Sequence, residues 1–327
     1  MAAKDLITNA RLMDTFGGLQ GQANLTMSAN ETTTLNNLIT AISDAIEKYC
    51  KRRFVSTAYD ELYNGTGDRR IHLRQYPIQK VTSIRYRPVT VMKITNTVTA
   101  NVQARVLVKS TGLELFRTSA GVSTTVTAGL DWVTNPTITA LTAAVNALGS
   151  GWSAQAVGDS NNYGNWPSAD LYVPGSYGDT LEGTGVLYSQ GALTAVNGIN
   201  AELKMHTYEL QGCQWDPRGW LLRAIPYTDP ELLHPEDLIW PVGINNFRIQ
   251  YTAGYTTIPE AIQQACAEWV CHQYWQTKRD IDLVHQALNA GTAQAWGAMG
   301  SRLSRPPQNV QTLLAPYRRI TVASGQS

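Results

Sequence analysis

The sequence predicts an α+β fold in two units: a discontinuous main domain over residues 1–87 and 213–327, and a β-rich domain over 88–212 inserted into it. Three observations carry this expectation. A long apolar stripe at helical spacing runs from Leu35 to Tyr49. A strand–turn–helix unit occupies Phe247 to Trp269. Between the two, from about Pro88, Thr becomes frequent and short alternating segments replace the stripe.

The first predicted helix starts at Ser28 and Glu31, which have the spacing of a capping box. Leu35, Leu38, Ile39, Ile42, Ile46 and Tyr49 form its apolar face. It ends in Lys51-Arg52-Arg53, cations that complement a helix C-terminus. Asn64-Gly65 is a turn signal. Ile71 and Leu73 alternate with His72 and Arg74, Pro77 breaks the run, and Val81–Tyr86 reads as another strand.

Inside the insertion, three segments alternate as half-buried strands: Val102-Ala104-Val106-Val108, Leu113-Leu115 and Val122-Thr124-Val126. Ile138, Leu141, Val145 and Leu148 predict one short helix over Thr137–Leu148. Asp159–Gly185 is rich in Gly, Asn, Ser and Tyr. The main domain resumes around Arg218–Leu222, followed by a proline-rich loop. Phe247, Ile249 and Tyr251 then alternate with polar residues, Gly254 permits a sharp reversal, and Pro259 suits a first helical turn. Ile262, Cys266, Trp269 and Val270 share one face of the helix after it. A shorter helix is expected over Asp280–Asn289, a loop over Gly291–Pro307, and a last helix bearing Val310, Leu313, Leu314 and Tyr317.

The bulk numbers narrow the function classes. A chain of 327 residues buries roughly three quarters of its unfolded surface. Apolar content of 43% fits a folded protein, while charged content of 16% is low. The net charge of +1 is unevenly placed: Lys48–Arg87 carries a net +7, Pro88–Gly212 a net −3, and the segment from Lys278 onward a net +4. Basic blocks flanking an acidic middle point either to ordinary solvated faces or to phosphate-backbone contact. No run of 18 apolar residues exists, so no membrane partner is expected, and the N-terminus lacks an apolar signal core. Four unpatterned cysteines, Cys50, Cys213, Cys266 and Cys271, suit a reducing compartment. The sequons at Asn24, Asn30 and Asn64 are then incidental.

No catalytic, metal or cofactor residues are nominated. Gly149–Ala154 has dinucleotide-loop spacing, but a helix precedes it and a strand follows, the reverse of what that loop needs. Cys266 and Cys271 lie about 140° apart around a helix axis, which suits core thiols better than a shared metal. His234, Glu236 and Asp237 lie in a proline-rich surface turn. Trp152, Tyr163, Trp166, Tyr172, Tyr177 and Tyr188 crowd the insertion; they either fill a small β core or present a surface for sugars or protein partners, and the core is preferred.

Three separated blocks resemble the head–tail connector (adaptor, or head-completion) proteins of tailed bacteriophages. The first is Asp5–Thr8 with the helix Leu35–Phe54; the second is Tyr63-Asn64-Gly65, Leu73, Tyr76-Pro77-Ile78 and Val81–Ile84; the third is IQYTAGYTTIPEAIQQACAEWV followed by VQTLLAPYRR. The insertion departs from the pattern. The resemblance implies a mainly helical connector core with a short β element, assembled as a homo-oligomeric ring of about twelve copies. The ring would sit beneath the portal protein at the head–tail junction of a virion assembled in the host cytoplasm. It would join the DNA-filled head to a tail-side connector or tail protein and extend the channel for double-stranded DNA, without enzymatic activity. Lys48, Lys51, Arg52, Arg53, Arg69, Arg70 and Arg74 are the candidates for sequence-blind DNA contact. Val310, Leu313, Leu314, Tyr317, Arg318, Arg319 and Ile320 are the candidates for docking to the portal. Two rival classes remain: a carbohydrate- or receptor-binding virion module carried by the aromatic insertion, and a cell-wall hydrolase, for which no carboxylate pair stands out.

Overall fold

Every strand pairing in the described chain is antiparallel, and strand outweighs helix. The computed structural model describes residues 5–20, 29–98, 101–157, 163–173, 186–190, 201–210, 212–223, 239–277, 285–287, 293–295 and 306–319. The expectation of a mainly helical core with a short β element is therefore corrected: the main domain is built on a large sheet.

Helix α1 (Asn9–Gln20) carries no clear apolar stripe in sequence. Its start is set by Thr8, whose hydroxyl accepts the Arg11 N–H at 3.1 Å. Helix α2 (Ala29–Cys50) follows the predicted stripe, with Leu35, Ile39, Ile42 and Ile46 buried and Leu38 and Tyr49 packed at its margin. Ser28, half of the expected capping box, lies outside the described residues. The end of α2 is a Schellman turn: Lys51 is left-handed at φ 55°, its N–H reaches the Lys48 carbonyl, and the Arg52 N–H reaches that of Glu47 at 3.2 Å. This geometry folds Arg52 back onto the helix end.

The strands in chain order are β1 (Thr57–Gly65), β2 (Arg70–His72), β3 (Ile78–Asn96), β4 (Asn101–Val108) and β5 (Leu113–Ser119). They continue as β6 (Val122–Val126), β7 (Trp152–Ala156), β8 (Val186–Gln190), β9 (Ala201–Glu209) and β10 (Cys213–Trp215). The last are β11 (Trp220–Arg223), β12 (Gly243–Ala253), β13 (His285–Ala287) and β14 (Ala293–Ala295). Helices α3 (Ile138–Ala147), α4 (Glu260–Thr277) and α5 (Gln308–Leu314) complete the elements.

The main sheet runs β1–β12–β3–β7, with β9 added to β3. Strand β3 has 19 residues and serves two partners in succession on one side, β12 up to Tyr86 and β7 from Met92. Pro88 reads in sequence as a strand breaker. It stands opposite His206 of β9, between the end of the β12 pairing at Tyr86 and the start of the β7 pairing at Met92. Gly65 ends β1 where a Cβ would lie 1.6 Å from the Pro241 carbonyl oxygen, so only glycine fits. Gly254 makes the expected reversal after β12 at φ 109°, with Val55 O at 2.6 Å from where a Cβ would stand.

Three apolar clusters result. Leu6 and Ile7 join the stripes of α2, α4 and α5 in a helical layer, where Ile262, Cys266, Trp269 and Val270 are all buried. Tyr63, Ile71, Leu73, Trp240, Phe247 and Tyr251 fill a second cluster on the main sheet. A third, within 89–205, packs α3 against the strands around it. The predicted strands over 102–126 are all present, and α3 is capped by the Thr137 hydroxyl, which accepts the Ala140 N–H. Of the expected helix over Asp280–Asn289, residues 285–287 instead pair with 293–295 as a strand; the others lie outside the described residues.

One buried arginine ties the third cluster to the main sheet. Arg248 on β12 donates to both carboxylate oxygens of Asp60 on β1, at 2.9 and 2.6 Å, and to the Asp170 carbonyl at 2.8 Å. Arg85 on β3 holds the Asp170 carboxylate at 2.6 Å. Burial opposes the Arg248 charge, but Asp60 and then Asp170 outweigh it, and its pKa is raised. Two predictions follow from this arrangement. Arg248→Ala should cost about 3 kcal/mol in chemical denaturation, because it leaves Asp60 unpaired; a loss under about 1 kcal/mol would show the network adds little. The division at 88 and 212 is a proposal. Replacing 88–212 by a short linker should leave the helical layer and the β1–β12 ladder folded, whereas a molten remainder would refute it.

Candidate functional site

The basic block does not stay together on the surface. Lys48 and Lys51 are exposed at the end of α2, and Arg53 is half-buried. Arg52, turned inward by the Schellman geometry, is 5% exposed. Its guanidinium lies 4.1 Å from the Tyr76 ring centroid and 5.1 Å from that of Phe54, and it donates to the Tyr255 hydroxyl at 3.2 Å. Arg74 covers the Tyr63 ring at 4.5 Å and donates to the Leu62 carbonyl at 2.9 Å. Arg52 and Arg74 are thus both engaged in the subunit's own packing. Tyr63, beneath Arg74, shares Glu61 with Tyr251, and burial, reinforced by that carboxylate, pushes both phenols up.

Arg69 and Arg70 remain exposed, and among the described residues they form no ion pair. They open onto a small sheet of order β10–β11–β2. Its register sets Leu222 between Gln214 and Arg70, and Trp220 opposite His72. Leu221 and Ile71 point the other way, into the second cluster. Trp220 therefore stands outward, 37% exposed, with the Arg70 guanidinium 5.3 Å from its ring and His72 at 4.7 Å. Asp68, Arg69, Arg70, Trp220 and Leu222 border a concavity of about 650 Å³. The His72 pKa is lowered by burial and next by the charge of Arg319, which places the end of the described chain near this face.

In sequence, Trp220 and Leu222 mark only the point where the main domain resumes. The available signal was that Trp220-Leu221-Leu222 is apolar on both strand faces, and a three-stranded sheet buries one face against the core. Neither arginine pairing nor exposure was legible, because the partners come from 70–72 and 213–223.

The C-terminal candidates divide in the same way. Val310 and Leu314 are fully buried in the helical layer, and Leu313 and Tyr317 pack at its margin. Tyr317 meets Phe54 edge-on, the Arg318 guanidinium lies 5.3 Å from the Tyr49 ring, and the Arg319 N–H donates to the Cys50 carbonyl at 2.9 Å. The segment is clipped to the end of α2. Ile320 lies outside the described residues.

A second concavity, also of about 650 Å³, is bordered by Arg87 and Val89 of β3, Thr207 of β9, and Tyr163 and Trp166 of the insertion. Trp152 is a core residue, and Tyr172 packs against the same cluster. Tyr177 and the side chain of Tyr188 lie outside the described residues, as do His234, Glu236 and Asp237. Among the described residues no three His, Cys, Asp or Glu side chains gather as metal ligands. Burial pushes Cys50 and Cys213 up to about 11, and Cys266 and Cys271 up to about 12. Such thiols are poor nucleophiles at neutral pH.

No known family model matches this chain, and no curated protein does. Among solved structures, it is similar to a chain of the virion of a native gene transfer agent particle, at TM-score 0.33 and 17% identity, over 99% of this chain and 95% of that one. It is also similar to a chain of the neck of an empty gene transfer agent particle, at TM-score 0.32 and 15% identity, over 98% and 94%. At those values the likeness carries no argument about fold or function.

The exposed and the buried arginines should separate in one measurement. In duplex-DNA binding, changing Arg69 and Arg70 together to Ala should reduce the log–log salt slope by about 2 at unchanged stability. Arg52→Ala should instead lower the melting temperature. Binding that is indifferent to salt, or selective for sequence, would sink the assignment of Arg69 and Arg70 to DNA.

Proposed function

We propose that this chain is a structural virion protein that forms a ring beneath the portal, joins the DNA-filled head to the tail, and extends the DNA channel. The observation that carries this reading is the convergence of the connector-like blocks. Leu6 and Ile7 of the first block pack with α2, with α4 of the third block, and with Val310 and Leu314 of the last helix in a single core. The turn-strand block pairs directly with the strand that opens the third: Ile84 lies opposite Ile249, and Val81 opposite Tyr251. Segments far apart in sequence that resemble one family thus build one unit. The arginine-and-tryptophan face of β2 and β11 supplies exposed contact surface beside that unit.

In this reading Arg69 and Arg70, with Lys48 and Lys51, are the cations left for DNA or for a neighbouring subunit. Leu313, Tyr317, Arg318 and Arg319 are the docking residues that remain for the portal, since Val310 and Leu314 are committed inside. The second concavity, where Tyr163 and Trp166 face Arg87 and Thr207, favours a second reading in which the insertion binds a sugar or a receptor.

Purified protein mixed with portal-bearing, DNA-filled heads should sediment with them and appear as a ring at the portal vertex. Truncation before Pro306 should abolish this attachment. Protein that stays monomeric on such heads, or binds elsewhere on the particle, would overturn the ring. Saturable binding of a defined glycan by the full chain, lost in Trp166→Ala, would instead establish the second reading.

A further inference from the structure

The sheet of the insertion runs β6–β5–β4–β8, and among the described residues nothing pairs with the outer edge of β6. Val122, Ser123, Thr124 and Thr125 are all exposed, on both faces of the strand, and Val122 is 66% exposed. A two-residue turn, Ala120-Gly121 with φ 49° and 77°, joins β5 to β6. In such a hairpin the closing pair, Ser119 and Val122, exchanges both backbone bonds. By alternation Val122, Thr124 and Val126 bond inward to β5, and the N–H and C=O groups of Ser123 and Thr125 point outward. Among the described residues nothing bonds to them.

Exposed edges are usually blunted by charge, proline or a bulge. The sequence VSTTV has none of these and is rich in β-formers. On β1, an edge of the main sheet, the Arg74 guanidinium donates to the Leu62 carbonyl at 2.9 Å.

We propose that the β6 edge is an intersubunit seam, filled by β8 of a second copy of this chain. This rests on the ring reading. Antiparallel alternation admits either β6 or β8 of a second copy, but a β6–β6 contact is two-fold and closes a dimer, so the ring reading selects β8. With four antiparallel strands, β6 and β8 run in opposite directions, so β8 of one copy set beside β6 of the next continues the alternation unbroken. Both strands are five residues long, and among the described residues only β4 pairs with β8. A seam between two different edges is head-to-tail, and repeated about one axis such a contact closes into a ring. Main-chain bonds supply the contact, as in strand addition.

Hydrogen exchange on the wild-type chain tests this without mutation. The Ser123 and Thr125 amides should exchange freely in the monomer and become protected in the assembled ring. Ser123→Pro and Thr125→Pro remove only outward donors and should each lower the ring yield about tenfold, with the monomer melting as before. Thr125→Lys should act in the same direction. Rings that form with both amides still exchanging as in the monomer, or that tolerate both proline variants, overturn the seam and leave the ring reading standing. A wild-type chain that never assembles on portal-bearing heads overturns both.

Discussion

The fold hangs on a single strand, β3. Along its 19 residues it hands one side from β12 to β7 and gives the other to β9. The cluster under the main sheet and the cluster of the insertion are consequently built on the same ribbon of backbone. A one-residue slip in its register would send Ile84, which faces the first, and Met92, which faces the second, to the wrong sides at once. That constraint explains why a polar network gathers at the handover. Arg85 and Arg248 stand opposite each other on β3 and β12, two like charges that the register forces together. Asp60 and Asp170 neutralise them, and Asp170 belongs to the insertion.

The division of arginines follows from the same economy of space. A Schellman turn makes Arg52 a core residue, because the residue after a left-handed position is directed back over the helix end, where three aromatic rings wait. Arg74 is used to close the edge of β1. Lys48, Lys51, Arg69, Arg70, Lys80 and Arg87 are the cations of this stretch that stay exposed to a phosphate or a partner. A net of +7 over Lys48–Arg87 thus overstates what the surface presents.

The helical layer, by contrast, behaves as its periodicity demands. Leu35, Ile39, Ile42 and Ile46 on α2 meet Ile262, Cys266 and Val270 on α4, and the short helix α5 closes them with Val310 and Leu314. A helix of seven residues is unstable alone. Here it is held by two fully buried side chains, by the Arg319 N–H on Cys50, and by Tyr317 on Phe54.

By itself, the sequence determined the elements whose signal is local. The α2 and α4 stripes, the short helix α3, the alternating strands β4 and β5 and the reversal at Gly254 each depend on spacing within one segment, and each is present, whereas β6 forms but is exposed on both faces. Tertiary structure alone decided whatever depends on a distant partner. It carried β3 through Pro88, which pairs with His206 of β9. It turned Arg52 and Arg74, two of the seven basic candidates, into the subunit's own packing, and it left Trp220 and Leu222 outward because a small sheet has one core-facing side. It also made the main domain a sheet rather than a bundle: strand pairing is a long-range bond between 57–65, 78–96 and 243–253, and no local periodicity records which edges will meet.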